Sequence, residues 1–252
     1  MPECQFADSR LKMDWANKHI ANLELWLADL PKTYTSSIEI DPAFRYKRIK
    51  HDITDTDLLS NAALRIGDAV HNLKCALDYA WIETLKKCAP RAISGHAKFP
   101  VCPTKEKLES DLRGKGREID VACPDLFRLM IDRIQPYDGG NFAIWPVYVL
   151  NNRDKHRLLI PTIHYSNIND IEIQDKAGNI TRGSTWGTTE PPPYFIDFEY
   201  DLDIKNKGKL SLSIGLDQAM ISYAPGVKGL LPIYARFVFE VIETLEAFIE
   251  TI

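Results

Sequence analysis

The chain carries His71, Lys74 and Asp78 at spacings of three and four inside Gly67-Asp68-Ala69-Val70-His71-Asn72-Leu73-Lys74-Cys75-Ala76-Leu77-Asp78. On a helix such spacings bring side chains to one side, so Lys74 and Asp78 can pair and a histidine can sit beside them. Imidazole, with an ordinary pKa near 6.5, takes or gives a proton at neutral pH, a carboxylate can fix its tautomer, and an ammonium can hold a phosphate. His19, His156, Asn152, Lys155 and Arg157 are the other residues with suitable chemistry. Asn152 and His156 share the apolar spacing of Phe142, Trp145 and Val149, and His156 lies in the dense polar run Asn151-Asn152-Arg153-Asp154-Lys155-His156-Arg157. His19 falls between Trp15 and Leu23 at a position parallel to that of His71.

The element that must position the first group is a helix over roughly Asp57 to Lys87. At about 100° per residue, Leu59, Ile66, Val70, Leu73, Leu77 and Trp81 form one stripe, the core face. Asn61, Arg65, Asp68, Asn72, Tyr79, Glu83 and Lys86 cluster on another arc, suited to solvent. His71 and Asp78 share the azimuth of Leu64, Cys75 and Ile82 on the shoulder of the stripe, and Lys74 lies closer to it, which places three polar groups inside the buried arc. An unpaired buried polar group costs about 1–3 kcal/mol. The three groups therefore belong to a satisfied network, either structural or part of an active or binding site in a bundle interior.

The first helix runs from Ala7 to Leu30 with Leu11, Trp15, Leu23, Trp26 and Leu30 on its inner face, and Pro31 ends it. Residues 33–53 read as an inserted β-hairpin with a turn at Asp41-Pro42. Its second limb carries Arg45, Lys47, Arg48 and Lys50, as a charged edge strand does. Thr54, Asp55, Thr56 and Asp57 are N-cap candidates for the long helix. A Pro- and Gly-punctuated connection then holds a short helix near Thr104 to Leu112. Another helix, Asp125 to Ile134, buries Leu126, Leu129, Met130 and Ile134 and stops at Gln135-Pro136-Tyr137. After the helix ending at His156, residues 158–222 alternate as strands, with turns at Lys176-Ala177-Gly178-Asn179 and Asn206-Lys207-Gly208-Lys209, and so read as an antiparallel meander. Pro191-Pro192-Pro193 marks a loop or edge. Residues 229–252 form a wide-arced apolar helix that docks on the chain or mediates a homodimer.

The expected fold class is α+β, a helical bundle packed beside an antiparallel β-sheet in a single domain: a helical part over 1–157 with the hairpin inserted, a β-rich part and a terminal helix. With 252 residues, 45% hydrophobic, the chain can bury a substantial core, and a net charge of −4 gives no global attraction to phosphate backbones. No apolar run approaches a membrane span, and Met1-Pro2-Glu3-Cys4 does not open a signal peptide, so a cytoplasmic location is expected. Five widely spaced cysteines without a CxxC pair fit reduced thiols, and the spacing of Cys88, His96, Cys102 and Cys123 is too irregular for a zinc site. No nucleotide-binding glycine loop, GxSxG elbow or HExxH motif occurs.

The stretch Gly67 to Trp81 together with Asp154-Lys155-His156-Arg157 resembles a group of uncharacterised bacterial proteins, and the helix order, Phe99-Pro100 and Gln135-Pro136-Tyr137 are similar too. That group often has arginine where this chain has Lys74 and histidine where it has Tyr79, so the resemblance gives no base at position 79. It implies a shared fold and polar cluster. A second resemblance is to the HEPN superfamily of helical ribonucleases and toxins, whose signature is an arginine a few residues before a histidine, as in Arg65 and His71. It implies metal-independent RNA cleavage.

The site expected from these readings is where His19, His71, Asp78 and His156 converge as acid–base groups, with Lys74, Asn152, Lys155 and Arg157 toward RNA or a small anionic ligand and no cofactor. Two alternatives stand beside the enzyme: a binding module in which the polar cluster is a structural clasp, and a metal held by His19, His71, His156 and Asp78.

Overall fold

A computed structural model describes residues 6–29, 34–93, 97–114, 117–157, 159, 161–188, 193–216 and 226–252. In chain order it contains α1 (Ala7–Ala28), β1 (Tyr34–Asp41), β2 (Tyr46–Ile53), α2 (Leu58–Cys88), α3 (Lys105–Arg113), α4 (Ile119–Ala122) and α5 (Pro124–Arg128). There follow α6 (Ile144–His156), β3 (Pro161–Gln174), β4 (Ile180–Thr188), β5 (Tyr194–Glu199), β6 (Asp203–Leu216) and α7 (Val227–Glu250). The fold class is the expected α+β one.

The long helix α2 is the axis of the molecule, touching α1, α6, α7 and β3. Ala62, Ala63, Ala69, Ala76 and Ala80 favour the helix intrinsically, and all five are buried. Being small, they also let neighbouring helices approach. Ser9 of α1, fully buried, donates its hydroxyl to the Ala76 carbonyl at 2.8 Å. Asp55 accepts the Asp57 N–H at 2.9 Å and sets the turn into the helix, while Lys86 and Lys87 lie in the last turn, where cations oppose the helix dipole. The terminal helix α7 buries Leu230, Leu231, Tyr234, Val238, Val241, Ile242 and Leu245 against α1, α2 and α6. Its apolar arc is therefore used within the chain.

The inner face of α1 differs from the expected one. Met13, Ala16, Ile20 and Leu23 are buried, whereas Leu11 is 65% and Trp15 48% exposed. Leu11 and Trp15 lie roughly 120° or more around the helix from the centre of the buried stripe. The helix carries two apolar stripes, and the one with smaller residues fits the alanine-rich surface of α2. Asn72, assigned above to the solvent arc of α2, is buried for a related reason. It accepts from the Lys12 ammonium of α1 at 3.2 Å and donates to the Asp68 carbonyl at 2.8 Å.

The β-region is two antiparallel three-stranded sheets among the described residues, not one meander: β1-β2-β5 and β4-β3-β6. The hairpin and the Lys176–Asn179 turn are where the sequence places them. The basic limb β2 is central in its sheet, not an edge strand, because β5 pairs along its other side. Arg48 there pairs with Asp197 at 2.5 and 2.9 Å and lies over the rings of Tyr46 and Phe195. The Asn206–Lys209 segment is not a hairpin turn but lies inside β6, where Gly208 has φ +80° and faces Asp170 at φ +61° on β3. A Cβ on Gly208 would fall 2.8 Å from the Asn169 carbonyl oxygen, so the paired kink requires glycine. Of the proline run, Pro191 and Pro192 lie outside the described residues. Among the described residues no helix is long and apolar enough to cross a membrane.

Ile49, Ile168, Ile171, Tyr194 and Leu210 form the core between the two sheets. A polar belt joins the sheets beside it. Fully buried His51 donates from Nε2 to the Lys207 carbonyl at 3.1 Å, because a carbonyl can only accept, and its Nδ1 therefore accepts from the Ser36 hydroxyl at 2.7 Å. Lys207 returns its ammonium to the Ser36 carbonyl at 2.6 Å. Burial, helped by the Lys207 charge, pushes His51 below the ordinary imidazole range. The unfolded chain therefore binds this proton first, and the contribution of His51 is complete above about pH 6.5 and lost as pH falls below it. Denaturant melts of wild type and His51→Gln at several pH values should differ in slope by up to about 1.4 kcal/mol per pH unit below pH 6.5, wild type being steeper. Parallel slopes would show that His51 does not titrate as described.

Candidate functional site

Lys74 is 4% exposed, and its ammonium pairs with Asp78 Oδ1 one helical turn on. The same oxygen accepts the Phe99 N–H at 2.8 Å, and the Phe99 ring stands edge-on to Trp81 at 6.0 Å. Burial pushes the Lys74 ammonium below the ordinary lysine range, while Asp78 opposes that shift. The expected Lys74–Asp78 pair is thus present, and it ties the connection after α2 to the helix. This geometry is a clasp: the ammonium has little access to a substrate.

His71 lies on the margin of α2 that faces α6. It is exposed, as is Leu64 on the same azimuth, while Cys75, Asp78 and Ile82 are half-buried. The expectation that His71 sits inside the buried arc is therefore wrong: that azimuth runs along a seam where neighbouring helices do not close over α2. From α6, Asn151 reaches His71 with Oδ1 3.1 Å from Nδ1. An amide oxygen only accepts, so Nδ1 carries the hydrogen and Nε2 keeps its lone pair. The Cys75 thiol lies 3.5 Å from that Nε2 and donates to it. Asn151 is 2% exposed, and its Nδ2 has no partner among the described residues.

One turn before His71, Gly67 lets α6 come close. A Cβ at that position would sit 2.6 Å from both carboxylate oxygens of Asp154, so the carboxylate rests directly on the α2 backbone. Asp154 also accepts the Leu159 N–H, and burial together with the Asp68 charge raises its carboxyl above the ordinary range, against the pull of His71. Asp68, exposed, approaches His19 Nδ1 at 3.9 Å. Lys12 from α1 and Lys155 from α6 act on Cys75 from two sides, lowering its thiol pKa against the larger effect of burial, which raises it.

The eight residues singled out from sequence do not form one cluster. Among the described residues no hydrogen bond joins any two of His19, His71, Asp78 and His156. His19 is half-buried against Trp15 and, among the described residues, pairs with Asp68 and with none of the other three. Lys155, His156 and Arg157 are exposed and Asn152 is half-buried. The packed side of α6 is Ile144, Val147, Leu150 and Asn151, roughly opposite the Trp145–Val149–Asn152–His156 stripe expected to face inward. As in α1, large apolar residues surround the helix, and the spacing of three and four fits more than one face. The residues that sequence reasoning missed are Gly67, Cys75, Asn151 and Asp154. Cys75 carried a usable signal, four positions after His71 on one helix face. Asn151 and Asp154 become recognisable only once the correct face of α6 is known.

Among the described residues no group of three or more His, Cys, Asp or Glu side chains is placed to hold a metal ion. The four-residue metal set considered above is therefore not assembled. Comparison of the chain with protein-family models, with curated proteins and with solved structures gives no match.

Two outcomes follow from this geometry. Gly67→Ala should gain helix propensity, about 1 kcal/mol, only where Asp154 is absent. In an Asp154→Ala background it should stabilise, and in wild type the gain should be offset or reversed as the carboxylate is displaced. A double-mutant cycle in urea reads this coupling, and a coupling of zero would mean that the two residues do not touch. Asp78→Asn should destabilise by about 1–3 kcal/mol, because the buried Lys74 loses its charged partner, and part of the loss should return as pH rises and Lys74 sheds its proton. Unchanged stability across pH would remove the clasp.

Proposed function

We propose that the seam centred on His71 is a metal-independent acid–base site that acts on RNA. The observation carrying this reading is the His71–Asn151 bond, which holds an exposed imidazole in one tautomer with the lone pair on Nε2, where only the weak Cys75 thiol donor competes with a substrate proton. Cleavage by internal attack needs a base for the 2′-hydroxyl and an acid for the departing 5′-oxygen. His71 supplies the first. Asp154, whose carboxyl is raised by burial and by Asp68 and which lies within electrostatic reach of His71, supplies the second. The exposed Lys155 and the Lys12 ammonium lie around the same seam and offer charge for a phosphate, which an acidic chain needs locally. The resemblance of Arg65 and His71 to the helical ribonuclease signature agrees with this substrate class.

A second reading is a binding module, favoured by the Lys74–Asp78–Phe99 clasp, whose members are occupied with holding the fold. Single-stranded RNA incubated with purified protein and excess chelator separates the two. The acid–base reading expects cleavage that falls at least about 100-fold in His71→Ala, the usual contribution of a general base. Asn151→Ala should show a smaller loss, and activity should weaken steeply with salt as phosphate contacts release counterions. RNA retained but uncut would favour the binding module. Cleavage unaffected by His71→Ala would overturn the assignment of His71.

A further inference from the structure

We infer that Cys75 is a thiol nucleophile activated by His71, making the seam able to accept an acyl group from a carboxylic ester or thioester. The inference goes beyond RNA cleavage and uses the same imidazole on a different proton. It rests on three side chains in sequence. The Cys75 thiol is 3.5 Å from His71 Nε2, and His71 Nδ1 is 3.1 Å from Asn151 Oδ1. A nucleophile within reach of a base, and a base oriented by a third group, is the arrangement by which a thiol is made reactive on unrelated folds, and it is recognised by geometry, not by chain order.

Each member is placed as its role requires. Cys75 is half-buried at a seam whose histidine is exposed, so an ester can approach the sulfur. Asn151 is held nearly solvent-free, which fixes the imidazole, and the Nδ2 of the same amide is a buried donor without an acceptor among the described residues. Burial, with Asp78, holds the Cys75 thiol above its ordinary range, and the positive charges of Lys12, Lys74 and Lys155 work against that shift, so it is His71, bonded to the thiol, that must take the proton. Cys88 and Cys102 are different. Burial, with Cys123 beside one and Asp111 beside the other, pushes both thiols up to about 12, and neither is bonded to a histidine among the described residues.

The chemistry balances without a cofactor. The Cys75 S–H proton passes to His71 Nε2, and the sulfur attacks the carbonyl carbon, forming a C–S bond. The ester C–O bond breaks, and the departing oxygen takes the proton from His71. Water then gives a proton to His71 as its oxygen attacks the thioester carbon. The C–S bond breaks, and the sulfur recovers the proton, leaving a free acid and an alcohol.

The test uses the full chain, reduced and with chelator, and p-nitrophenyl acetate as the probe. Nitrophenolate release and the intact mass are followed together, and peptide mapping locates the acetyl group. The expected result is a burst of about one nitrophenolate per chain with the acetyl group on Cys75. His71→Ala should slow the burst at least about 100-fold, the scale of general-base assistance, and Asn151→Ala at least about tenfold. Cys75→Ser, which keeps the side-chain volume, should fold with wild-type circular dichroism and carry no thioester at position 75. If either alanine variant fails to fold, the pH profile decides. Wild type should show a rate dependent on two groups, base and thiol, and His71→Gln a rate following the thiol alone. Labelling of Cys88, Cys102 or Cys123 as fast as Cys75, or equal rates in wild type and the folded His71 variant, would overturn the inference. RNA cleavage is scored on the same wild-type preparation. Acylation without cleavage keeps the thiol and removes the phosphodiester reading, and cleavage without acylation does the reverse.

Discussion

A helix enclosed on several sides must satisfy every polar group it carries, and α2, 31 residues long and covered by α1, α6 and α7, sets that requirement for the whole molecule. Its polar side chains divide accordingly. Asn72 and Lys74, well buried, are each matched by a specific partner, Lys12 in one case and Asp78 in the other. His71 and Cys75 lie at the seam and are matched to each other and to Asn151. The approach of α6 that delivers Asn151 is possible because residue 67 has no side chain and the Asp154 carboxylate can rest on the backbone there. The buried clasp and the exposed seam are therefore separated by only about one helical turn.

The same separation clarifies what each charge does. Lys74, the cation in the middle of the organising stretch, is too deeply buried to serve a phosphate, and its carboxylate partner is shared with the Phe99 backbone. Substituting either breaks a buried ion pair, which is costly because the survivor is stranded. Lys155 of α6 is exposed and Lys12 of α1 is half-buried against Asn72, and on the proposed reading these two are the cations a ligand would meet. The His71 imidazole is oriented by a neutral amide, not by a carboxylate as Asp78 was expected to provide.

The α+β class, the extent of α2 and its core stripe, the hairpin after α1, the Thr104-capped α3 and the terminal helix were legible in the sequence because each has a dominant periodicity or a clear start or stop. What was not legible was which side of α1 and α6 faces inward. Both carry apolar residues around most of the circumference, so a spacing of three and four fits more than one stripe. The choice was made by partners: small residues against the alanines of α2 in one case, Asn151 against His71 in the other. Choosing the opposite face of α6 exchanged Asn152 for Asn151 and placed His156 inside. The strand order was also beyond local patterns, since Tyr194–Glu199 looks like a neighbour of the strands around it and instead completes the sheet begun by the hairpin.

That pairing has a consequence for how the chain comes into being. Arg48 and Asp197, which face each other across β2 and β5, are 149 positions apart. At ordinary synthesis rates the ribosome delivers β5 roughly 7–30 s after β2. Throughout that interval the middle strand has one open side, with its hydrogen-bonding groups unsatisfied and its apolar face lacking β6. The positive charges of Lys47, Arg48 and Lys50 then discourage the nascent hairpin from joining another copy of itself, a protection that the finished sheet no longer needs once Asp197 arrives to neutralise Arg48. Closure of so long a loop is slow, so the sheet begun by the hairpin is completed late, and only the packing of α7 on α1, which joins positions still further apart, must wait longer for its chain.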